Sequence, residues 1–229
     1  MIIIGGMIGL GKTSVAEVLS EALGSQVFYE SVEDNPVLPL FYSSTQEEIE
    51  KNRYPFLLQL FFLDKRFKAI KEALVNQNNI LDRGIYEDLY FCKMNMEYGK
   101  MKGENRITEM EWQIYQGLFE NMMEEIEGMP KKAPDLMVYL KGDFEKTVLP
   151  RIQQRGREYE LDAELVEYYK FLWSQYDEWV FTQYNASPIV VIDMDNIDVV
   201  NNPEDREDVI NLVLDKLEYI NSVVNGGCK

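Results

Sequence analysis

Short apolar runs alternate along the chain with longer segments in which apolar residues recur every three or four positions. Met1 to Ile4 is apolar without alternation, the pattern of a strand buried on both faces. Lys12 to Leu23 places Val15, Val18, Leu19, Ala22 and Leu23 on one helical face, with Gly24 as its stop. Val27 to Tyr29 reads as a second strand, and Asn35-Pro36 with Pro39 as a loop. A long helix is expected over Glu47 to Val75, broken or entered near Pro55. Asn79 to Leu81 is a third short strand that runs into Asp82-Arg83-Gly84. Helices are expected over Ile85 to Tyr98 and over Thr108 to Glu127, where Thr108 and Glu111 have capping-box spacing. Asp135 to Leu140 is a fourth strand, followed by a helix from Asp143 to Gln154 whose last turn Pro150 should disturb, and by a polar loop from Arg155 to Glu160. A helix from Ala163 to Tyr184, a fifth strand from Pro188 to Ile192 and a last helix near Asp205 to Val223 complete the pattern. Alternating units of this kind predict an α/β fold, a parallel sheet with helices on both faces. No repeat, linker or low-complexity tract interrupts it, so residues 1–229 read as a single domain.

Charge changes this picture by exclusion. Forty acidic residues against 23 basic ones give a net charge of -17, and there is no histidine. The acidity argues against nucleic-acid polymers and anionic membranes as partners, since both need a basic face. The missing histidine removes Ser-His-Asp and Cys-His catalysis and imidazole metal sites. Cys92 and Cys228 are far apart and form no CxxC, which suits a reducing cytosol. The start of the chain shows no signal peptide, and the most apolar stretch, Tyr54 to Leu63, falls short of the ~20 residues a bilayer span needs. A cytoplasmic location is expected.

The strongest chemical signal is Gly6-Met7-Ile8-Gly9-Leu10-Gly11-Lys12-Thr13, a GxxxxGK[ST] run between a strand and a helix. Its glycines allow a tight turn whose N–H groups converge on phosphate oxygens. The helix N-terminus adds positive potential, Lys12 reaches the terminal phosphates, and the Thr13 hydroxyl can ligate Mg²⁺. This predicts a nucleoside triphosphate site. The chain lacks the NKxD guanine-reading motif of switch GTPases and is short for a large ATPase, so a small phosphotransferase fits best.

On the acceptor side, Glu30 ends the second strand, where a carboxylate would face the phosphate loop and could take a proton from an attacking hydroxyl. Asp82 and Arg83 end the third strand. Asp82 can hold Mg²⁺ through water and Arg83 can neutralise charge between donor and acceptor, although a structural ion pair would explain both equally. Arg151, Arg155 and Arg157 reverse the local sign of a strongly acidic chain, and arginines on a mobile loop can close over a triphosphate. An exposed basic helix end is the plainer account of them.

These residues identify a resemblance that runs essentially end to end. The chain resembles the deoxyribonucleoside kinases, most of all their bacterial deoxyadenosine kinase branch. The likeness rests on the phosphate loop, Tyr-Glu-Ser-Val…Asn-Pro-Val-Leu-Pro (29–39), Asp-Arg-Gly-Ile-Tyr-Glu-Asp (82–88) and Arg151…Arg155-Gly156-Arg157…Glu160. It implies a P-loop kinase fold with a five-stranded parallel sheet and an arginine-rich lid near 151–160, ATP as donor, the 5′-hydroxyl of a deoxynucleoside as acceptor, and a homodimer. By the same resemblance Glu30 matches the general base and Arg83 the arginine beside it, while Arg151, Arg155 and Arg157 match the lid arginines. Glu160, with Tyr42 as its helper, matches the group that binds the sugar 3′-hydroxyl, and Gln59, Arg66 and Asp88 match the base-reading set. The acid at Asp88 points to deoxyadenosine, deoxycytidine or deoxyguanosine, and the Gln59 amide, able to donate and accept at once, suits adenine. Departures are Gly84 where the family usually has serine, Leu10 where a small residue is common, and a longer Ser43 to Asn52 stretch. A thymidylate-type monophosphate kinase, which would need further cations such as Lys51 and Arg53, and a non-catalytic nucleotide-binding module are the competing readings.

Overall fold

The computed structural model describes residues 1–30, 34–74, 79–128 and 133–226. Strands β1 (Ile2–Gly6), β2 (Val27–Phe28), β3 (Ile80–Asp82), β4 (Leu136–Lys141) and β5 (Ile189–Asp193) form one sheet in the order β2-β3-β1-β4-β5. All four pairings are parallel. The expected α/β architecture and five-stranded parallel sheet are therefore present.

β1 sits at the centre and is buried on both faces, which is why its sequence is apolar without alternation. Ile2 and Ile4 point into a core shared with α1 (Lys12–Leu23), α8 (Ala163–Thr182) and α9 (Pro203–Gly226). Ile3 points the other way, into a core shared with α4 (Tyr54–Ala73), α5 (Ile85–Lys102) and α6 (Glu109–Glu127). The capping box foreseen from Thr108 and Glu111 opens α6.

Several expected boundaries shift. The single long helix after residue 46 is two, α3 (Gln46–Asn52) and α4, because Arg53 between them adopts a left-handed φ of 57°. Pro55 then sits in the first turn of α4, where its missing N–H costs nothing. The segment expected to be a loop around Pro39 contains a short helix, α2 (Leu38–Ser43), with a proline in its first turn for the same reason. Pro150 likewise opens a helix instead of disturbing the end of one. Phe144–Val148 is a π-turn and α7 spans Leu149–Arg155. Arg151 and Arg155 thus lie on a helix, whereas the sequence placed Arg155 in a loop; a 3₁₀ turn, Glu158–Leu161, follows. Ser31 and Val32 of the Tyr-Glu-Ser-Val segment, the expected helix end at Val75, and Cys228 lie outside the described residues.

The carboxyl ends of β1, β2 and β3 lie side by side and deliver the phosphate loop, Glu30 and Asp82-Arg83 to one edge of the sheet, the edge where parallel sheets bind ligands.

Candidate active site

A cavity of about 850 Å³ opens at that edge. Lys12, Thr13, Glu30, Asp82 and Arg83 line it, as do Tyr42, Gln59, Asp88 and Glu160 and the arginines Arg151, Arg155 and Arg157. Met7, Ile8, Gly9 and Gly11 contribute as well. Of the residues singled out in the sequence, Gly6, Leu10 and Arg66 stay out of the lining.

The loop's shape depends on glycine at two points. Gly6 has φ 143° and a Cβ there would lie 2.7 Å from the Leu140 carbonyl oxygen, while Gly9 has φ 83° with the Val148 carbonyl oxygen 3.0 Å away. α1 begins at Gly11 without a side-chain cap, which leaves its first N–H groups for an anion. Leu10 departs from the small residue of the family, but it is buried in the core beneath the loop, so it takes no space from the cradle. Lys12 Nζ donates to the carbonyls of Gly6 (2.9 Å) and Met7 (3.0 Å). Burial and the nearby Arg83 charge lower its pKa to about 8, against the pull of Asp82, Glu30 and Glu87.

Thr13 Oγ1 donates to Asp82 Oδ2 at 2.6 Å, and Asp82 Oδ1 is buried with no hydrogen-bond partner. A hydroxyl beside an orphaned carboxylate oxygen suits a hard cation that completes its shell with phosphate and water oxygens. No cluster of three or more acidic, cysteine or histidine side chains among the described residues could hold a metal by itself.

Glu30 lies just past β2. Its Oε1 accepts from Arg66 Nη2 at 3.0 Å and pairs with Arg83 Nε at 3.1 Å. Burial would raise its pKa, but Arg83, Arg66 and Lys12 overcome that and hold it near 2. Arg66 is fully enclosed behind the cavity wall and also donates to Asp88 Oδ2 (3.2 Å) and the Asp82 carbonyl (2.9 Å). The Arg66–Asp88 pair foreseen in the sequence therefore exists, with Glu30 as its third member. Burial raises Asp88 to about 6 despite Arg66.

Arg83 adopts a left-handed φ of 79°, unusual for a non-glycine residue and of the kind that costs about 1–3 kcal/mol. Its N–H donates to the Ile4 carbonyl at 3.0 Å, and its guanidinium packs over Phe91. Gly84 follows because a Cβ there would come within 2.8 Å of the buried Ile3 side chain, which accounts for the missing family serine. Glu160 is buried, accepts from Arg157 Nη1 (3.2 Å) and Arg155 Nη1 (3.4 Å), and keeps Oε2 unpartnered. The Tyr42 hydroxyl lies 3.5 Å from that of Tyr169. Arg151 spends its guanidinium on the carbonyls of Leu10, Met194 and Ile197, so it braces the phosphate loop against the chain after β5.

A family model described as deoxynucleoside kinase matches residues 2–218. The chain belongs to the deoxynucleoside kinase family. It is 45% identical over 221 residues to a deoxyguanosine kinase of Lactobacillus johnsonii, covering 95% of this chain and 92% of the relative. A deoxyadenosine kinase of Lactobacillus acidophilus is 39% identical, over 97% of this chain and 99% of that one. Among solved structures, deoxyadenosine kinase from M. mycoides with bound dATP superposes with a TM-score of 0.72 at 28% identity, covering 95% and 98% of the two chains. The protein is thus a nucleotide-binding phosphotransferase with the P-loop kinase fold, a deoxynucleoside kinase. No helix among the described residues is long and apolar enough to cross a membrane.

Sequence reasoning missed two residues of this kinase, Glu87 and Tyr176. Glu87 had a local signal, since it stands three residues after Gly84 at capping-box spacing. Tyr176 had none, being 89 residues from its carboxylate partner.

Proposed function

We propose that this kinase transfers the γ-phosphate of ATP to the 5′-hydroxyl of a purine deoxyribonucleoside, with Glu30 as general base. The observation that carries the reading is Glu30 itself, held ionised between Arg66 and Arg83 in the cavity that Lys12 also lines. Glu30 takes the hydroxyl proton as the new O–P bond forms and the bond to the β-phosphate oxygen breaks. Lys12, Arg83, Arg155 and Arg157 stabilise the charge on the phosphate oxygens. Thr13 and Asp82 would hold Mg²⁺, which supplies charge neutralisation at the phosphates. Glu160 Oε2 and Tyr42 are assigned to the sugar 3′-hydroxyl, and Gln59 and Asp88, backed by Arg66, to the base.

The purine is supported by relatives named for deoxyguanosine and deoxyadenosine and by an amide and a carboxylate, Gln59 and Asp88, in the lining of the cavity. Deoxyadenosine is placed first on the two-way hydrogen bonding of Gln59. Deoxyguanosine is the second reading, favoured by the name of the 45%-identical relative. With ATP and Mg²⁺, both purine deoxynucleosides are expected to exceed thymidine and deoxycytidine in kcat/KM by about tenfold or more. A pyrimidine in first place overturns the base assignment, and no turnover with any of the four overturns the reaction.

A monophosphate acceptor is disfavoured because Arg53, its needed cation, donates to Glu111 (Nε to Oε1, 2.8 Å) and to the Asn105 carbonyl and stays out of the cavity. A binding-only module would have no use for Glu30 and Arg83 in this arrangement. We read residues 1–229 as one such unit, cytoplasmic, with 151–160 as its lid. A homodimer is supported by the exposed apolar stripe of Met110, Ile114 and Leu118 along α6. Light scattering is expected to give twice the 26.8 kDa of the chain; the monomer mass would refute the dimer.

A further inference from the structure

Glu87 does not reach the cavity, yet it touches three parts of the catalytic apparatus. It is 1% exposed, on the first turn of α5. Its Oε2 accepts from the Gly84 N–H at 2.9 Å, and its Oε1 accepts from Arg83 Nη1 at 3.1 Å and from the Gly6 N–H at 3.3 Å. The Tyr176 hydroxyl, reaching across from α8, also donates to Oε1, and the same hydroxyl accepts from the Gly6 N–H at 3.0 Å. Tyr176 is itself enclosed, stacked on Tyr139 and packed edge-on against Tyr90 and Trp179. A charged acid is costly at such depth unless it is fully hydrogen-bonded, and Glu87 is. Helix capping alone would explain only the bond to Gly84.

We propose that Glu87, oriented by Tyr176, is a positioning residue for phosphoryl transfer: it fixes the Arg83 guanidinium and the entry of the phosphate loop in one geometry. Arg83 has two acidic partners on opposite sides, Glu30 facing the cavity and Glu87 behind it. With Glu87 in place, a substrate that draws Glu30 away leaves Arg83 anchored and directed at the phosphates. Without that anchor the guanidinium follows Glu30 or the nucleotide, and a displacement of an ångström at such a group costs about 10²-fold in rate. The bond to Gly6 ties the same anchor to the loop that holds Lys12, so donor and acceptor sides share one reference point. This inference rests on the assignment of Arg83 to the transferred phosphate.

Glu87→Gln tests it, because glutamine keeps one acceptor oxygen, which can still serve the Gly84 N–H at the start of α5, and removes the charge that Arg83 needs. Expected is a fall in kcat on the order of 10- to 100-fold, with KM for ATP and deoxynucleoside within about threefold of wild type and little change in Tm. Tyr176→Phe should lower kcat less, and the double variant should be no slower than Glu87→Gln alone. Independently of turnover, the side-chain Nε–H NMR signal of Arg83, identified by its absence in Arg83→Lys, is expected to shift and broaden in Glu87→Gln. Wild-type kcat in Glu87→Gln, or an unchanged Arg83 signal, overturns the inference. No turnover of any deoxynucleoside by the wild-type protein, with the Arg83 signal still shifted in Glu87→Gln, overturns the assigned reaction and leaves the anchoring of Arg83 standing.

Discussion

Glu30→Gln is expected to lower kcat by at least about 10²-fold while the protein stays folded, the scale of general-base catalysis. Two features set that size. Glu30 lies in the cavity lining at the end of a sheet strand, between Arg66 and Arg83, and its pKa near 2 keeps it ionised at every pH at which the enzyme would be assayed. The sign follows from that depression: lowering the pH from 8 to 5 does not protonate Glu30, so it contributes no acid limb to the rate profile. Asp88, raised to about 6 by burial, does titrate in that window. The wild-type profile of kcat/KM should therefore bend near pH 6, and Asp88→Asn should remove the bend without removing the dependence on Glu30. A Glu30→Gln enzyme within tenfold of wild type would take the base role from this residue.

Lys12→Ala is expected to cost on the order of 10²- to 10³-fold in kcat/KM for ATP, the penalty for deleting one donor aimed at developing phosphate charge. The lysine also leaves a thermodynamic trace. Before nucleotide binds, Lys12 donates to the carbonyls of its own loop, and burial and Arg83 hold its pKa near 8. An incoming triphosphate favours the charged ammonium and raises that pKa. At pH 8 the free protein carries the proton on about half of its molecules, so binding must take protons up; at pH 6 the lysine is already charged and uptake from it vanishes. Isothermal titration of ATP into the protein in buffers of different ionisation enthalpy reads this directly. Equal uptake at pH 6 and pH 8, or its survival in Lys12→Ala, would contradict the assignment.

How much of this was legible before the fold was known differs from residue to residue. The phosphate loop, Glu30 and Asp82-Arg83 were, because each follows a short apolar strand and a parallel sheet brings such strand ends to one edge. Thr108 announced its helix through Glu111. The proline-marked boundaries went astray because a proline breaks a helix or starts one according to its place in the first turn, which neighbouring sequence alone does not settle. The division of labour among the arginines was also hidden. Composition marks Arg151, Arg155 and Arg157 as one basic cluster, but Arg151 is used up on three backbone carbonyls, all of them more than 40 residues away. Long-range partnerships of that kind, like Tyr176 with Glu87, leave no periodicity to read.

The parallel ladder between β1 and β3 has a consequence for how the enzyme moves. Ile2, Ile3 and Ile4 pair with Ile80, Leu81 and Asp82, and the bond from the Arg83 N–H to the Ile4 carbonyl carries the ladder one residue further, into the catalytic turn itself. The amide proton of Arg83 is therefore expected to exchange as slowly as those at the centre of the sheet, opening only when the sheet opens. Arg155 ends a short helix capped by Gly156 with φ 73°, Arg157 follows that cap, and no strand has to break for either to swing. The site thus joins a half built into the sheet ladder to a half tied to the fold by side-chain pairs alone, and amide exchange is expected to separate the two.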